Sequence, residues 1–286
     1  MKKILVLGSG GQLGRTLIDI SEYERIPMYG LDHNTCDITN ETQLKHYLYD
    51  LQPDIVINCA AWTNVNLAER LDCKQKVYDI NVTGSGNIAK YCKEIGAKLI
   101  HISTDYIFGD GYNRPIRESE LPYPINWYGE TKWRGELAVD RNHDNWIIIR
   151  TSWVYSKYNM NFVNKVYDSL LGCNTCQVCI DEISSPTYGV DLAKFILTIC
   201  NDKYNDVQGV FNFSNIGPCS RYDLAYKIAE LCNMRGMIVP VYKSVSAVPR
   251  PKYSVLDLGK TSLKFSFKLR DWREALEDYH KNRFLK

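Results

Sequence analysis

The chain has 286 residues, of which 45% are apolar and 24% charged. That balance excludes a disordered chain, a collagen or a coiled coil as the main body. The 35 Lys+Arg against 33 Asp+Glu give no basic excess of the kind that nucleic acid or an anionic membrane requires. After Lys2-Lys3 the apolar run Ile4-Leu5-Val6-Leu7 stops at Gly8. It is shorter than the roughly 7 residues of a signal-peptide core and the ~18 of a membrane span, so a cytoplasmic protein is expected. Ten scattered cysteines in a chain long enough to build its own core suit a reduced, intracellular state. Cys173, Cys176 and Cys179 form C-x2-C-x2-C, but no fourth ligand follows nearby, so an alternating strand is the reading and no metal is expected.

In chain order, residues 3–7 read as a buried parallel strand running into glycines. Leu13, Leu17, Ile18 and Ile20 follow at helical spacing. Met28–Leu31 and Ile55–Ile57 read as further strands, and residues 74–95 as a long helix interrupted by Gly84 and Gly86. Lys98–Ile102 is a fourth strand, Tyr128–Val139 a helix and Trp146–Ile149 a fifth strand. Strands alternating with helices imply a parallel sheet covered on both faces. Beyond Arg150 the pattern loosens. Gln177–Ile180, Gly209–Phe213 and Val239–Tyr242 read as strands, and Tyr188–Cys200, Tyr222–Cys232 and 271–282 as helices.

The first strand runs into Gly8-Ser9-Gly10-Gly11-Gln12-Leu13-Gly14. Gly8, Gly11 and Gly14 are spaced G-x-x-G-x-x-G, which allows a tight turn, close approach of the backbone to a pyrophosphate, and close packing of the helix on the sheet. Asp32 ends the second strand, where a carboxylate can bond the adenosine ribose, and this favours NADH over NADPH.

Tyr128 and Lys132 are spaced i, i+4 and share a helix face. An ammonium beside a phenol would lower the phenol's pKa toward neutral and make it a usable acid or base. Ser103-Thr104-Asp105 ends the fourth strand, so Thr104 can donate a hydrogen bond to a carbonyl oxygen in the crevice.

With Gly11-Gln12-Leu13-Gly14, Ser103-Thr104-Asp105-Tyr106, Asn126-Trp127-Tyr128-Gly129-Glu130-Thr131-Lys132, Arg150-Thr151-Ser152-Trp153-Val154-Tyr155, Ser185-Pro186-Thr187 and Arg250-Pro251, the chain resembles the extended short-chain dehydrogenases/reductases, and within them the dTDP-4-dehydrorhamnose reductase family. The resemblance implies reduction of the C4 ketone of a dTDP-4-keto-6-deoxy sugar by NADH or NADPH. Thr104, Tyr128 and Lys132 would be catalytic. Gly8, Gly11, Gln12, Leu13, Gly14, Asp32, Asp37, Ile38, Ala60, Ala61, Trp62 and Thr63 would line the cofactor together with Tyr128 and Lys132, and Thr104, Asp105 and Trp153 would contact the sugar nucleotide.

The related 4,6-dehydratases carry Asp-Glu after the strand-end threonine. Here Asp105 precedes Tyr106, so the acid/base pair for elimination is incomplete. Ile102, Asn66 and Tyr253 depart from the family pattern, and Arg15 stands where some members have a Glu linked to a metal-bridged dimer. That metal is not carried over, and both monomer and homodimer remain open. A UDP- or GDP-linked sugar, or a non-catalytic NAD(P)-binding regulatory subunit on the same fold, are the alternatives.

The expected architecture is α/β: a Rossmann-type doubly wound parallel sheet with a smaller, discontinuous α/β cap. Residues 1–150, with returning segments near 176–200 and 209–214, would bind NAD(P), and the remainder of 151–286 would bind the sugar nucleotide.

Overall fold

The structure, a computed structural model, describes residues 2–242 and 247–283. Residues 1, 243–246 and 284–286 lie outside the described residues, the last two groups within the expected cap. The largest sheet has six strands, all parallel, in the spatial order Gly209–Phe213, Trp146–Thr151, Lys98–Thr104, Ile55–Asn58, Ile4–Leu7, Met28–Leu31. Ile4–Leu7 and Ile55–Asn58 are buried along their whole length, which explains their unbroken apolar runs. Strand order reverses between these two neighbours, because the chain moves one way to Met28–Leu31 and then returns to the other side. In open parallel sheets, ligands bind at the carboxyl ends of the strands at such a reversal.

Helices cover both faces. Gln12–Glu24 and Gly189–Ile199 pack together on one face, burying Leu13, Leu17, Leu192 and Ile196 against Val6, Ile57 and Ile149. Glu41–Leu51, Ser85–Ile95 and Trp127–Asn142 cover the other, with Leu44, Leu48, Ile88 and Val139 against Leu5, Val56, Leu99 and Ile148.

The interruption expected in helix 74–95 is a change of pitch. Lys74–Tyr78 passes through a π-helical segment, Asp79–Gly84, into Ser85–Ile95. The glycines serve packing there: a Cβ on Gly84 would meet the Ile38 side chain at 2.7 Å, and one on Gly135 of the facing helix would meet the Asn81 carbonyl oxygen at 2.3 Å.

Two helices of ten or more residues were absent from the expected elements. Asn40 caps Glu41–Leu51 and Asn161 caps Phe162–Leu171, each accepting backbone N–H bonds through its side chain.

The cap has its own core, in which Val163, Tyr167, Leu224, Ile228, Trp272 and Leu276 meet from the helices Phe162–Leu171, Arg221–Leu231 and Trp272–Asn282. One expected returning segment is corrected. Cys176–Cys179 does not rejoin the main sheet but pairs in parallel with Ile238–Val241 in the cap. Gly209–Phe213 already occupies the main sheet's edge beside Trp146–Thr151, and Val178 turns inward to the cap core. Among the described residues no helix is long and apolar enough to cross a membrane.

The Gly135 contact is directly testable. Gly135→Ala should destabilise the protein by about 1–3 kcal/mol, the usual range for overpacking, measured by urea denaturation. A change below about 0.5 kcal/mol would contradict this rigid helix–helix contact.

Candidate active site

Three clefts, of about 840, 350 and 740 Å³, form one crevice across the carboxyl ends of the strands. The first and the smallest share Gly11, Cys59 and Ala61. The smallest and the third share Gln12, Thr63, Trp153, Val154 and Met160.

The large first cleft begins at the glycine turn. Gly8 has φ +77°, and a Cβ there would sit 2.6 Å from the Ala60 nitrogen. A Cβ on Gly14 would lie 2.4 Å from the Gly8 carbonyl oxygen, so Gly14 works beneath the turn by letting the helix approach. No side chain caps the helix at Gly11, and its first turn holds no acidic residue. Its first N–H groups therefore face the cleft without helical partners, a ready anion site.

Asp32 stands across from Gly10. Its Oδ1 accepts from the Asn34 N–H at 3.1 Å, the Thr35 N–H at 2.9 Å and the Thr35 hydroxyl at 2.9 Å. These bonds, the Thr35 hydroxyl foremost, lower its pKa and keep it ionised. Asp37, Ile38, Ala60, Ala61 and Trp62 complete the wall. A glycine cradle, an uncapped helix start and an ionised acid at the second strand's end fit a dinucleotide.

The small middle cleft holds Thr104, Tyr128 and Lys132 together with Leu13, Thr63 and Trp153. Thr104 closes the fourth strand, and its Oγ1 accepts from the Tyr106 N–H at 3.2 Å. Asn126 caps the next helix through the Gly129 N–H at 2.8 Å. A Cβ on Gly129 would lie 2.1 Å from the Tyr106 carbonyl oxygen, so glycine lets this helix start against the Thr104 turn. Tyr128 is thereby set edge-on to Tyr106, ring centroids 5.7 Å apart.

The expected near-neutral phenol is corrected. Burial raises the Tyr128 pKa well above its usual value, and a hydrogen bond with the Thr104 side chain offsets this only in part. Lys132 donates instead to the Ile102 carbonyl oxygen at 2.7 Å, and its own pKa is lowered by burial to about 8. The pair is thus a protonated phenol beside an ammonium that is easily neutralised.

Asp105, expected against the sugar nucleotide, is engaged by the cap. It is 1% exposed, and its Oδ2 accepts from the Ser254 hydroxyl at 2.5 Å and the Ser184 hydroxyl at 3.5 Å. The carboxyl group is a buried clamp between sheet and cap, because both serines belong to cap segments that close over it. Burial raises its pKa to about 6.

Trp153 separates the middle cleft from the third. It holds a left-handed φ of 45°, and the Arg221 guanidinium lies 3.6 Å from its ring centroid. Arg250, Arg221 and Lys165 line the third cleft with a single carboxylate, Glu182, which pairs with Arg221 at 3.6 Å.

Asn81 and Glu136, which the motifs did not single out, complete the site. Asn81, in the π-segment, accepts from the Trp62 N–H at 2.8 Å and donates to the Thr131 hydroxyl at 3.0 Å, joining the cofactor wall to the Tyr128 helix. Glu136 and Arg150 form a buried ion pair at 2.7 Å below the cleft. Gly84, which ends the π-segment, was its visible trace.

The family model described as the RmlD substrate binding domain matches residues 1–284. The chain belongs to this family. It is 35% identical over 97% of its length to a dTDP-4-dehydrorhamnose reductase of Mycolicibacterium smegmatis, covering 84% of that protein. It is also 35% identical over 99% of its length to the spore coat polysaccharide biosynthesis protein SpsK of Bacillus subtilis, covering 98% of it. The crystal structure of a Bacillus anthracis dTDP-4-dehydrorhamnose reductase in complex with NADP superimposes with a TM-score of 0.93 at 34% identity, covering 98% of this chain and 99% of that one.

The raised pKa of Asp105 carries a sign. A carboxyl group favoured in its protonated form by folding contributes stability at low pH that is lost as pH rises through about 6. Between pH 4 and 7 the wild type should lose about 2 kcal/mol relative to Asp105→Asn, read as the difference in urea unfolding free energy. A pH-independent difference would show that Asp105 is not a buried, desolvated acid.

Proposed function

We propose that the protein is an NAD(P)H-dependent reductase that converts the C4 ketone of dTDP-4-dehydro-6-deoxy-L-mannose to the alcohol of dTDP-L-rhamnose, the last step of dTDP-rhamnose synthesis. The observation that carries this reading is the junction of the crevice. Thr104, Tyr128 and Lys132 line a small cleft that opens at one end into a dinucleotide cradle and at the other into a cation-lined cleft. The relatives named above support the step and the sugar nucleotide.

NAD(P)H supplies a hydride to the C4 carbon when bound. The uncapped helix start at Gly11–Leu13 holds its pyrophosphate, Asp32 and Asp37 face the adenosine side, and Ala60–Thr63 form the opposite wall. Thr104 donates a hydrogen bond to the ketone oxygen and draws off the charge that develops there. Tyr128 delivers the proton to that oxygen. Its raised pKa suits this direction, because the resting phenol must hold its proton until the oxygen becomes basic. Lys132 then balances the phenolate and keeps the Tyr128 face of the helix against the strand end through Ile102. Trp153, pinned by Arg221, offers an aromatic face to the sugar. Arg250 and Lys165 offer charge to a diphosphate.

The decisive assay follows oxidation of NADH and of NADPH with the freshly prepared dTDP-4-keto sugar. Tyr128→Phe should lower kcat about 10²–10⁴-fold while NADPH binding, read by fluorescence, is retained. Turnover that persists in Tyr128→Phe would remove the phenol as proton donor. Oxidation only with UDP- or GDP-linked ketones would change the sugar, and cofactor binding without turnover on any of them would favour a regulatory subunit.

A further inference from the structure

The Tyr128 helix carries a third polar residue on the same face. Glu136 lies one turn beyond Lys132, is 4% exposed, and is held by two residues. Its Oε1 accepts from the Ser103 hydroxyl. Its two oxygens also take the Arg150 guanidinium, with Nε at 3.1 and 3.2 Å and Nη2 at 2.7 Å. Arg150, itself 4% exposed, gives Nη1 to the Glu118 carbonyl oxygen at 3.1 Å. The carboxylate thus joins the catalytic helix to the strand-end residue before Thr104 and to the neighbouring strand.

The groups that face Lys132 come from each element packed on it. Its own helix presents Tyr128 and Glu136, the third strand's end presents Cys59, and the fourth strand presents His101. Burial holds the Cys59 thiol neutral by raising its pKa to about 12, and burial holds His101 neutral by lowering its pKa. Tyr128 keeps its proton. Glu136, ion-paired with Arg150 at 2.7 Å, is the carboxylate of this set. An ammonium that is 2% exposed needs such a partner to stay charged.

We propose that Glu136 is a positioning residue for catalysis: its carboxylate, fixed by Arg150 and Ser103, keeps the buried Lys132 in its charged form, and Arg150 sets how much of that negative charge Lys132 feels. This rests on the reductase reading for its consequence but not for its electrostatics. A structural strut alone would require only that the ion pair stay intact. An electrostatic role requires that the two partners act on Lys132 with opposite sign.

The test is a 13C NMR titration of the cofactor-free protein labelled at its lysine side chains, with the Lys132 signal identified as the one missing from Lys132→Met. Glu136→Gln should move the Lys132 midpoint down by about 1 pH unit, the lower end of the effect of one nearby charge. Arg150→Met should move it up. Removing one partner of a buried pair is strongly destabilising, whereas removing both is often tolerated. Should either single variant fail to fold, Glu136→Gln with Arg150→Met decides, and its midpoint should lie below that of the wild type. Shifts of the same sign in both single variants, or an unmoved midpoint in the double variant, would overturn the proposal. In turnover, the alkaline limb of the kcat profile should follow the same order. A wild type inactive on every nucleotide sugar would refute the reductase reading while leaving the titration to judge Glu136 independently.

Discussion

The close approach of two backbone turns governs this molecule. The chain leaves Ile4–Leu7 through Gly8 and leaves the adjacent strand Ile55–Asn58 through Cys59-Ala60, and the two turns are so near that a Cβ on Gly8 would overlap Ala60. Strand order reverses at this pair, so the turns diverge above it and open the crevice between them. The start of the helix at Gln12, the wall at Ala61-Trp62 and the neighbouring strand end at Thr104 take their places from that reversal. A bulkier residue at Gly8 would close the floor on which the dinucleotide cradle rests.

The cap is joined to the sheet by polar contacts that pass close to the chemistry. Asn161 donates to Gln12 at 3.0 Å, tying the cap's first helix to the glycine turn. Asn126 caps the Tyr128 helix and also donates to the Pro249 carbonyl oxygen at 3.0 Å. Asp105, next to Thr104, holds Ser254 and Ser184. The same short stretches that present reacting groups therefore also carry the seam. Thr104 and Tyr128 owe their placement to the cap as well as to the sheet.

Much of the main sheet could be read in the sequence, because buried parallel strands are written as unbroken apolar runs, as in Ile4–Leu7 and in the first three residues of Ile55–Asn58. Glu41–Leu51 and Phe162–Leu171 escaped because their start signals, Asn40 and Asn161, are single capping residues. Cys176–Cys179 has the alternation of a strand, but alternation does not say which sheet a strand joins. The grouping of Thr104, Tyr128 and Lys132 was visible as spacing. The direction of their titration was not, since burial, rather than the i, i+4 lysine, dominates the phenol. The engagement of Asp105 by the cap was not legible for a related reason: a strand-end position fixes where the backbone is, while Ser184 and Ser254, distant in sequence, hold the carboxyl group.

Position-specific isotope transfer tests the central claim most directly. NADPH carrying deuterium at the reactive C4 position of its nicotinamide would be incubated with the protein and dTDP-4-keto-6-deoxy-L-mannose, and the sugar product analysed by mass spectrometry and NMR. The account predicts one deuterium per product molecule, bonded to C4 of the sugar. A product with deuterium at another carbon, or an unreduced ketone beside an intact cofactor, would contradict it.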